Sequence, residues 1–135
     1  MASREAMIDT IYRAYDARDK GDIEGPMAAF HPNAVFEMKG EKNILEIAGP
    51  VQGHPNVRAA MTGFIATFEF MKRDIVDAML EADRIAVHSR LKIRFIPADV
   101  VFTTDVLDKF RFEDGRIIEL VEFADTALIK SLVGT

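Results

Sequence analysis

The sequence predicts an α+β fold, helices first and an antiparallel sheet after, and three observations carry that reading. Apolar residues recur at helical spacing up to about residue 70, as Ile8, Ile11, Tyr12 and Tyr15, then as Val57, Met61, Phe64, Ile65 and Phe68. From Ile75 the period switches to two, most clearly in Ile85 to Phe95. Finally, two β-rich runs flank Glu113-Asp114-Gly115, a strong hairpin signal.

Each element has a local reason. Residues 3 to 20 form an amphipathic helix with Arg4, Glu5, Asp9, Arg13 and Asp16 away from its apolar stripe. Ser3 is placed to cap it, and Lys20-Gly21 closes it with a cation and a residue tolerant of left-handed backbone. Asp22 caps a short second helix through Pro26, Met27 and Phe30, and His31-Pro32-Asn33 ends it. Ala34 to Met38 reads as a strand, Lys39 to Asn43 as a polar loop, and Ile44 to Ile47 as a short strand or extended segment. Gly49-Pro50 and Gly53 read as breakers, with Pro55 at the first position of a third helix that runs to about Phe70. Ile75 to Leu80 is a strand, Glu81 to Arg84 a turn, and Ile85 to Phe95 a long strand. There Ile85, Val87, Leu91, Ile93 and Phe95 face one way, while His88, Arg90, Lys92 and Arg94 face the other. A loop around Pro97-Ala98-Asp99 leads into the hairpin, after which Asp125 caps a terminal turn over Ala127 to Leu132.

Composition bounds the function. At 135 residues, without repeat or linker, the chain is expected to be one domain, 1–135, large enough for a core. A net charge of −5 argues against a nucleic-acid partner. The absence of cysteine removes disulfide and thiolate chemistry. No apolar run reaches membrane-spanning length and no basic segment leads into a signal core, so the expectation is a cytoplasmic protein without a membrane partner. Ten Phe and seven Met fit an apolar-ligand pocket, although such residues more often fill a core.

The hairpin carries the chemistry. Asp108 and Glu122 each stand among aromatic and aliphatic neighbours, and the register decides how they meet. A two-residue Asp114-Gly115 turn sets Phe110 opposite Glu119 and Lys109 opposite Leu120. A three-residue turn with Gly115 in a left-handed bulge sets Phe110 opposite Ile118 and Lys109 opposite Glu119. The second pairs like with like and cation with anion, and is the one expected. It places Asp108, Phe110 and Phe112 on one face with Ile118, Leu120, Glu122 and Ala124, the two acids lying diagonally across neighbouring strands.

Several stretches resemble a known family. Tyr15 to Asp22, followed by Phe30 to Phe36, is similar to the opening of the SnoaL-like and ketosteroid-isomerase-like branches of the nuclear transport factor 2-like superfamily. Gly53 to Arg58 resembles the loop into its third helix, and Leu107 to Phe112 with Asp114 to Ile117 its closing hairpin. The resemblance spans nearly the whole chain. It implies a cone-shaped α+β roll, a curved sheet wrapped around helices over an apolar internal pocket, and commonly a homodimer through the outer sheet face. It does not fix an activity, because one scaffold hosts many. Aligned on Gly21-Asp22, the isomerase's tyrosine position falls on Ala14 and its general-base position on Met38; only the aspartate of the penultimate strand is matched, by Asp108. Tyr15 is one step from the tyrosine position, a turn of roughly 100° on a helix. Of the Arg-x-Asp strand and later acid of limonene epoxide hydrolases, Glu122 matches the acid, but Arg90-Leu91-Lys92 puts lysine where the aspartate belongs.

The candidate catalytic residues are therefore Asp108 and Glu122, and the candidate ligand-binding residues Tyr15, Phe36, Met38, Phe64, Phe110 and Leu120. A carboxylic acid on an apolar face is held protonated by desolvation, and two such acids in one pocket split their titrations into an acid and a base. The bland reading of Asp108 is an acid paired with a buried lysine or capped by a hydroxyl, and that of Tyr15 and Tyr12 is core with a satisfied hydroxyl. His31, His54 and His88 have no metal-ligand spacing, so no metal or other cofactor is expected. The Arg90 and Lys92 row reads as a solvated or dimer-facing surface; with the faces inverted, Arg90 becomes an anion clamp in the pocket. The expected activity is that of a small-molecule enzyme of isomerase, cyclase, dehydratase or hydrolase type, acting on an apolar substrate with a carbonyl or hydroxyl. The alternatives are a non-catalytic binder of an apolar small molecule and a dimerisation module with a collapsed core.

Overall fold

The computed structural model describes residues 3–41 and 47–133. In chain order these form α1 (Arg4–Asp19), α2 (Glu24–Ala29), β1 (Phe30–Met38), β2 (Gly49–Gln52), α3 (His54–Thr67), β3 (Phe68–Glu81), β4 (Arg84–Phe95), a 3-10 turn (Ile96–Ala98), β5 (Val100–Glu113), β6 (Arg116–Phe123) and α4 (Thr126–Val133). The strands make one curved, unclosed six-stranded sheet in the order β2-β1-β6-β5-β4-β3. All neighbours pair antiparallel except β1 and β6, which run parallel and bring Met38 beside Glu122.

The caps explain the first helices. The Ser3 hydroxyl accepts the Ala6 amide at 3.1 Å, and Lys20 with left-handed Gly21 ends α1. The Asp22 carboxylate accepts the Glu24 amide at 2.9 Å, leading into α2. Gly25 is required by proximity: a Cβ there would meet the Cβ of Ala17, so α2 lies directly on α1. Asp125 caps α4, its side chain accepting the Leu128 amide at 3.0 Å.

Three expectations need correction. Gly49-Pro50 lies in β2 rather than in a break; β2 is an edge strand, where a proline leaves no ladder donor missing. His31-Pro32-Asn33 does follow the end of α2 but belongs to β1, in the irregular stretch between the Phe30 and Val35 pairings. The third helix stops at Thr67 and β3 starts at Phe68, seven residues before the predicted strand. Phe64, Ile65 and Phe68 satisfy a helical stripe, but pairing of Phe68 with Phe95 across β3 and β4 overrides it. The expected segment at residues 44–47 lies outside the described residues, apart from Ile47 in a turn.

β4 alternates as expected: Ile85, Val87, Leu91, Ile93 and Phe95 are buried, and Arg90 and Lys92 are exposed on the outer face. Arg90 binds Asp105 of β5 at 3.0 Å, with His88 at 3.4 Å from the same carboxylate. The core is in two parts. One gathers Met7, Ile11 and Tyr15 of α1 with Phe36, Val87, Phe110 and Ile117; the other gathers Phe68, Leu91, Ile93, Phe95, Val106 and Ile129.

Candidate functional site

Between the two clusters lies a partly open cavity. Its wall is apolar on nearly every side, with Met61, Phe64 and Leu120 among the lining residues, and its polar members are few: Tyr15, Arg18, Arg73, Thr104, Asp108 and Glu122.

The closing hairpin places the two acids. Its turn is Asp114-Gly115, with φ of 54° and 75°, the two left-handed residues of a type I′ turn. Phe112 pairs with Ile117 but Arg111 with Glu119, so Ile118 is the extra residue of a β-bulge. Beyond the bulge Phe110 faces Leu120 and Asp108 faces Glu122. Neither register weighed from the sequence is the one adopted. The face on which the acids lie is the one expected; their relation is not, because they are direct cross-strand partners rather than diagonal neighbours. Such partners carry their Cβ atoms about 4.5–5.5 Å apart.

Asp108 is 2% exposed. The Tyr15 hydroxyl donates to its Oδ2 at 2.6 Å from α1. The one-residue offset from the isomerase tyrosine position thus does not keep this hydroxyl from the acid. Burial first, then the charge of Asp108 and the hydrogen bond to it, pushes the Tyr15 hydroxyl well above its ordinary pKa of 10.0, so Tyr15 remains a donor. Oδ1 of Asp108 is buried and receives no hydrogen bond from an amide, hydroxyl or cation among the described residues. The cross-strand partner of Asp108 is Glu122, and a protonated Glu122 carboxyl is a donor to Asp108. Electrostatics agrees. Burial, the Asp108 charge and the hydrogen bond to Asp108 push the Glu122 carboxyl well above its ordinary 4.5, against the pull of Arg18 and Arg73. Glu122 is only partly buried and lines the cavity.

Two guanidinium groups face the acids, and neither was among the candidates drawn from the sequence. Arg73, on β3, forks onto Asp19 at 2.9 and 3.1 Å, donates to the Ser89 hydroxyl at 3.1 Å and stacks over the Tyr15 ring at 3.7 Å. Burial works against its charge, and the Asp19 carboxylate outweighs it, holding Arg73 above the usual arginine value. Arg18, on α1, lies over Phe70 at 3.7 Å and donates from Nη2 to the carbonyls of Phe64 and Phe68 at 3.3 and 2.9 Å. Burial lowers its pKa to about 10, with Glu122 and Asp19 opposing and Arg73 reinforcing the drop, so it stays cationic at neutral pH. Arg18 was legible in principle, being one helical turn from Tyr15. Arg73 was not, because the β3 pairing shifts between Phe70 and Lys72 and again between Ile75 and Asp77, which breaks the alternation that would reveal it.

Tyr15, Phe36, Met38, Phe64, Phe110, Leu120, Asp108 and Glu122 all line this one cavity, as does Ala14. The outward Arg90 and Lys92 do not. Among the described residues one set could approach a metal ion, His31, Glu113 and Asp114 at the tip of the hairpin; its acids are exposed, as such groups commonly are without an ion. No described helix is long and apolar enough to cross a membrane.

Comparison with known proteins fits this geometry. An NTF2-like protein of unknown function from Burkholderia pseudomallei superposes with a TM-score of 0.83 at 20% identity, each chain covered in full. A candidate isomerase from Bacillus subtilis gives 0.87 at 14% identity, covering 99% of this chain and 96% of that one. A candidate SnoaL-like polyketide cyclase from Jannaschia sp. gives 0.79 at 15% identity, covering 100% and 97%. These likenesses establish the fold. A search of curated proteins finds no significant match. The SnoaL-like domain model matches residues 11–120, from α1 to the Leu120 that precedes Glu122 by two, and so the chain belongs to the SnoaL-like family.

Proposed function

We propose that the protein is a small-molecule enzyme of isomerase or cyclase type, in which Glu122 and Asp108 move a proton on an apolar, carbonyl- or hydroxyl-bearing substrate held in the cavity. The direct pairing of the two carboxyls in an apolar wall carries this reading. Asp108 accepts hydrogen bonds from Tyr15 and from protonated Glu122, so the pair holds one proton between two carboxyls. Passing that proton to Asp108 turns Glu122, the carboxyl that borders the cavity, into the base that takes a proton from carbon beside a carbonyl. Returning it at another carbon completes an isomerisation, and letting the carbanion attack a second carbonyl gives a ring closure. Low polarity around the pair strengthens each hydrogen bond and excludes competing water. The names of the candidate isomerase and cyclase that share the fold agree with this class of reaction.

The competing reading keeps the cavity and drops the turnover, leaving a binding protein for an apolar small molecule. Exchange of the acidic C–H protons of 2-tetralone in deuterated buffer, followed by NMR, separates the two. Catalysed exchange that Glu122→Gln abolishes supports the enzyme; binding of 2-tetralone with exchange at the buffer rate supports the binder. Pairing of two copies through the outer sheet face, where Met79 and Val101 are exposed, belongs to the same proposal and is checked by sedimentation.

A further inference from the structure

Arg18 is a buried cation whose charge no carboxylate among the described residues neutralises by contact. It is 8% exposed, and none of the ion pairs within 4.0 Å includes it, whereas its neighbour Arg73 is forked onto Asp19. A guanidinium without a bound anion is costly inside a protein. Part of the position has a structural explanation: Nη2 caps the carbonyl end of α3, where the helix dipole favours a cation. That uses one of its three nitrogens. The side chain lines the cavity together with Glu122, the carboxyl that, when ionised, acts on Arg18 more strongly than any other while forming no ion pair with it.

We propose that Arg18 anchors the ligand through a negatively charged oxygen, which lies between its guanidinium and the Glu122 carboxyl. The inference rests on the proton-transfer reading and names its substrate class: aromatic or polycyclic molecules ending in an enol, phenol or carboxylate rather than neutral hydrocarbons. When Glu122 takes a proton from carbon, negative charge leaves the carboxyl pair and appears on the substrate oxygen. Arg18 is then the fixed charge that receives it, already oriented by the α3 carbonyls and by Phe70. A resting anion beside the carboxyl pair is accommodated by uptake of a second proton, as the shared proton of the pair allows.

The test uses two probes of one shape, 2-naphthoate and its neutral counterpart 2-acetonaphthone, titrated calorimetrically at neutral pH. Wild type is expected to prefer naphthoate by about tenfold, the worth of one charge-assisted hydrogen bond. Arg18→Gln keeps an N–H donor for the α3 carbonyls and removes the charge; it should bind acetonaphthone as wild type does and lose the preference. Arg18→Lys, which keeps the charge, should retain most of it and guards against a folding defect in the first variant. Equal binding of both probes to wild type, or a preference that survives Arg18→Gln, overturns the anchor while leaving the cavity reading standing. Binding of neither probe overturns the cavity reading and the anchor with it.

Discussion

Asp108 and Glu122 are direct partners across β5 and β6, and Oδ1 of Asp108 is buried with no amide, hydroxyl or cation bonded to it among the described residues. Two carboxyls at this spacing in an apolar wall behave as one titrating unit with a shared proton.

Glu122→Gln should separate fold from chemistry. The amide supplies the hydrogen that Asp108 lacks, so the melting temperature should equal or exceed that of wild type. The proton-transfer rate should fall by about 10²–10⁴, the range for a general acid or base. A variant with unchanged 2-tetralone exchange would remove Glu122 from the mechanism.

The same acid sets a pH dependence. In the unfolded chain Glu122 ionises near 4.5, and in the folded protein it holds its proton to much higher pH. The folded state therefore binds the extra proton above pH 4.5, and stability falls as pH rises from there through the folded value. Urea unfolding at a series of pH values should show that downward slope in wild type, and Glu122→Gln should flatten it. An unchanged slope would mean that another group carries it.

Tyr15→Phe leaves Oδ2 of Asp108 buried without its 2.6 Å donor. The expected cost is about 1–3 kcal/mol in urea unfolding, the usual penalty for stranding a buried acceptor. Retention of full stability would indicate that water or a neighbouring group replaces the hydroxyl.

Gly25→Ala tests the contact that seats α2 on α1. A new Cβ would collide with the Cβ of Ala17, which has no rotamer to escape into. Destabilisation of about 1–3 kcal/mol is expected, as for other overpacked contacts, with a lower melting temperature as the readout.

Much of this was legible in the sequence, and the exceptions share a cause. The Ser3 and Asp125 caps and the two faces of β4 follow from local periodicity and capping chemistry, and the structure has them; of the expected α1 stripe Ile11 and Tyr15 are buried, but with Met7 and Arg18, while Tyr12 is exposed. The start of β3 at Phe68 and the inward turn of Arg73 follow from pairing with β4 and from two irregularities in that pairing, neither of which leaves a local trace. The site divides likewise: Asp108 and Glu122 stood out as acids among apolar residues, whereas Arg18 resembles an ordinary surface cation of an amphipathic helix until α3 and Phe70 close over it.

The extra residue at Ile118 determines whether there is a carboxyl pair at all. With the same Asp114-Gly115 turn and an uninterrupted ladder, Val121 would stand opposite Asp108, and Glu122 would point to the outside of the sheet. Removing Ile118 itself would close the bulge and leave Asp108 opposite the same glutamate, so it is the match between one surplus residue and one bulge that keeps the two acids facing.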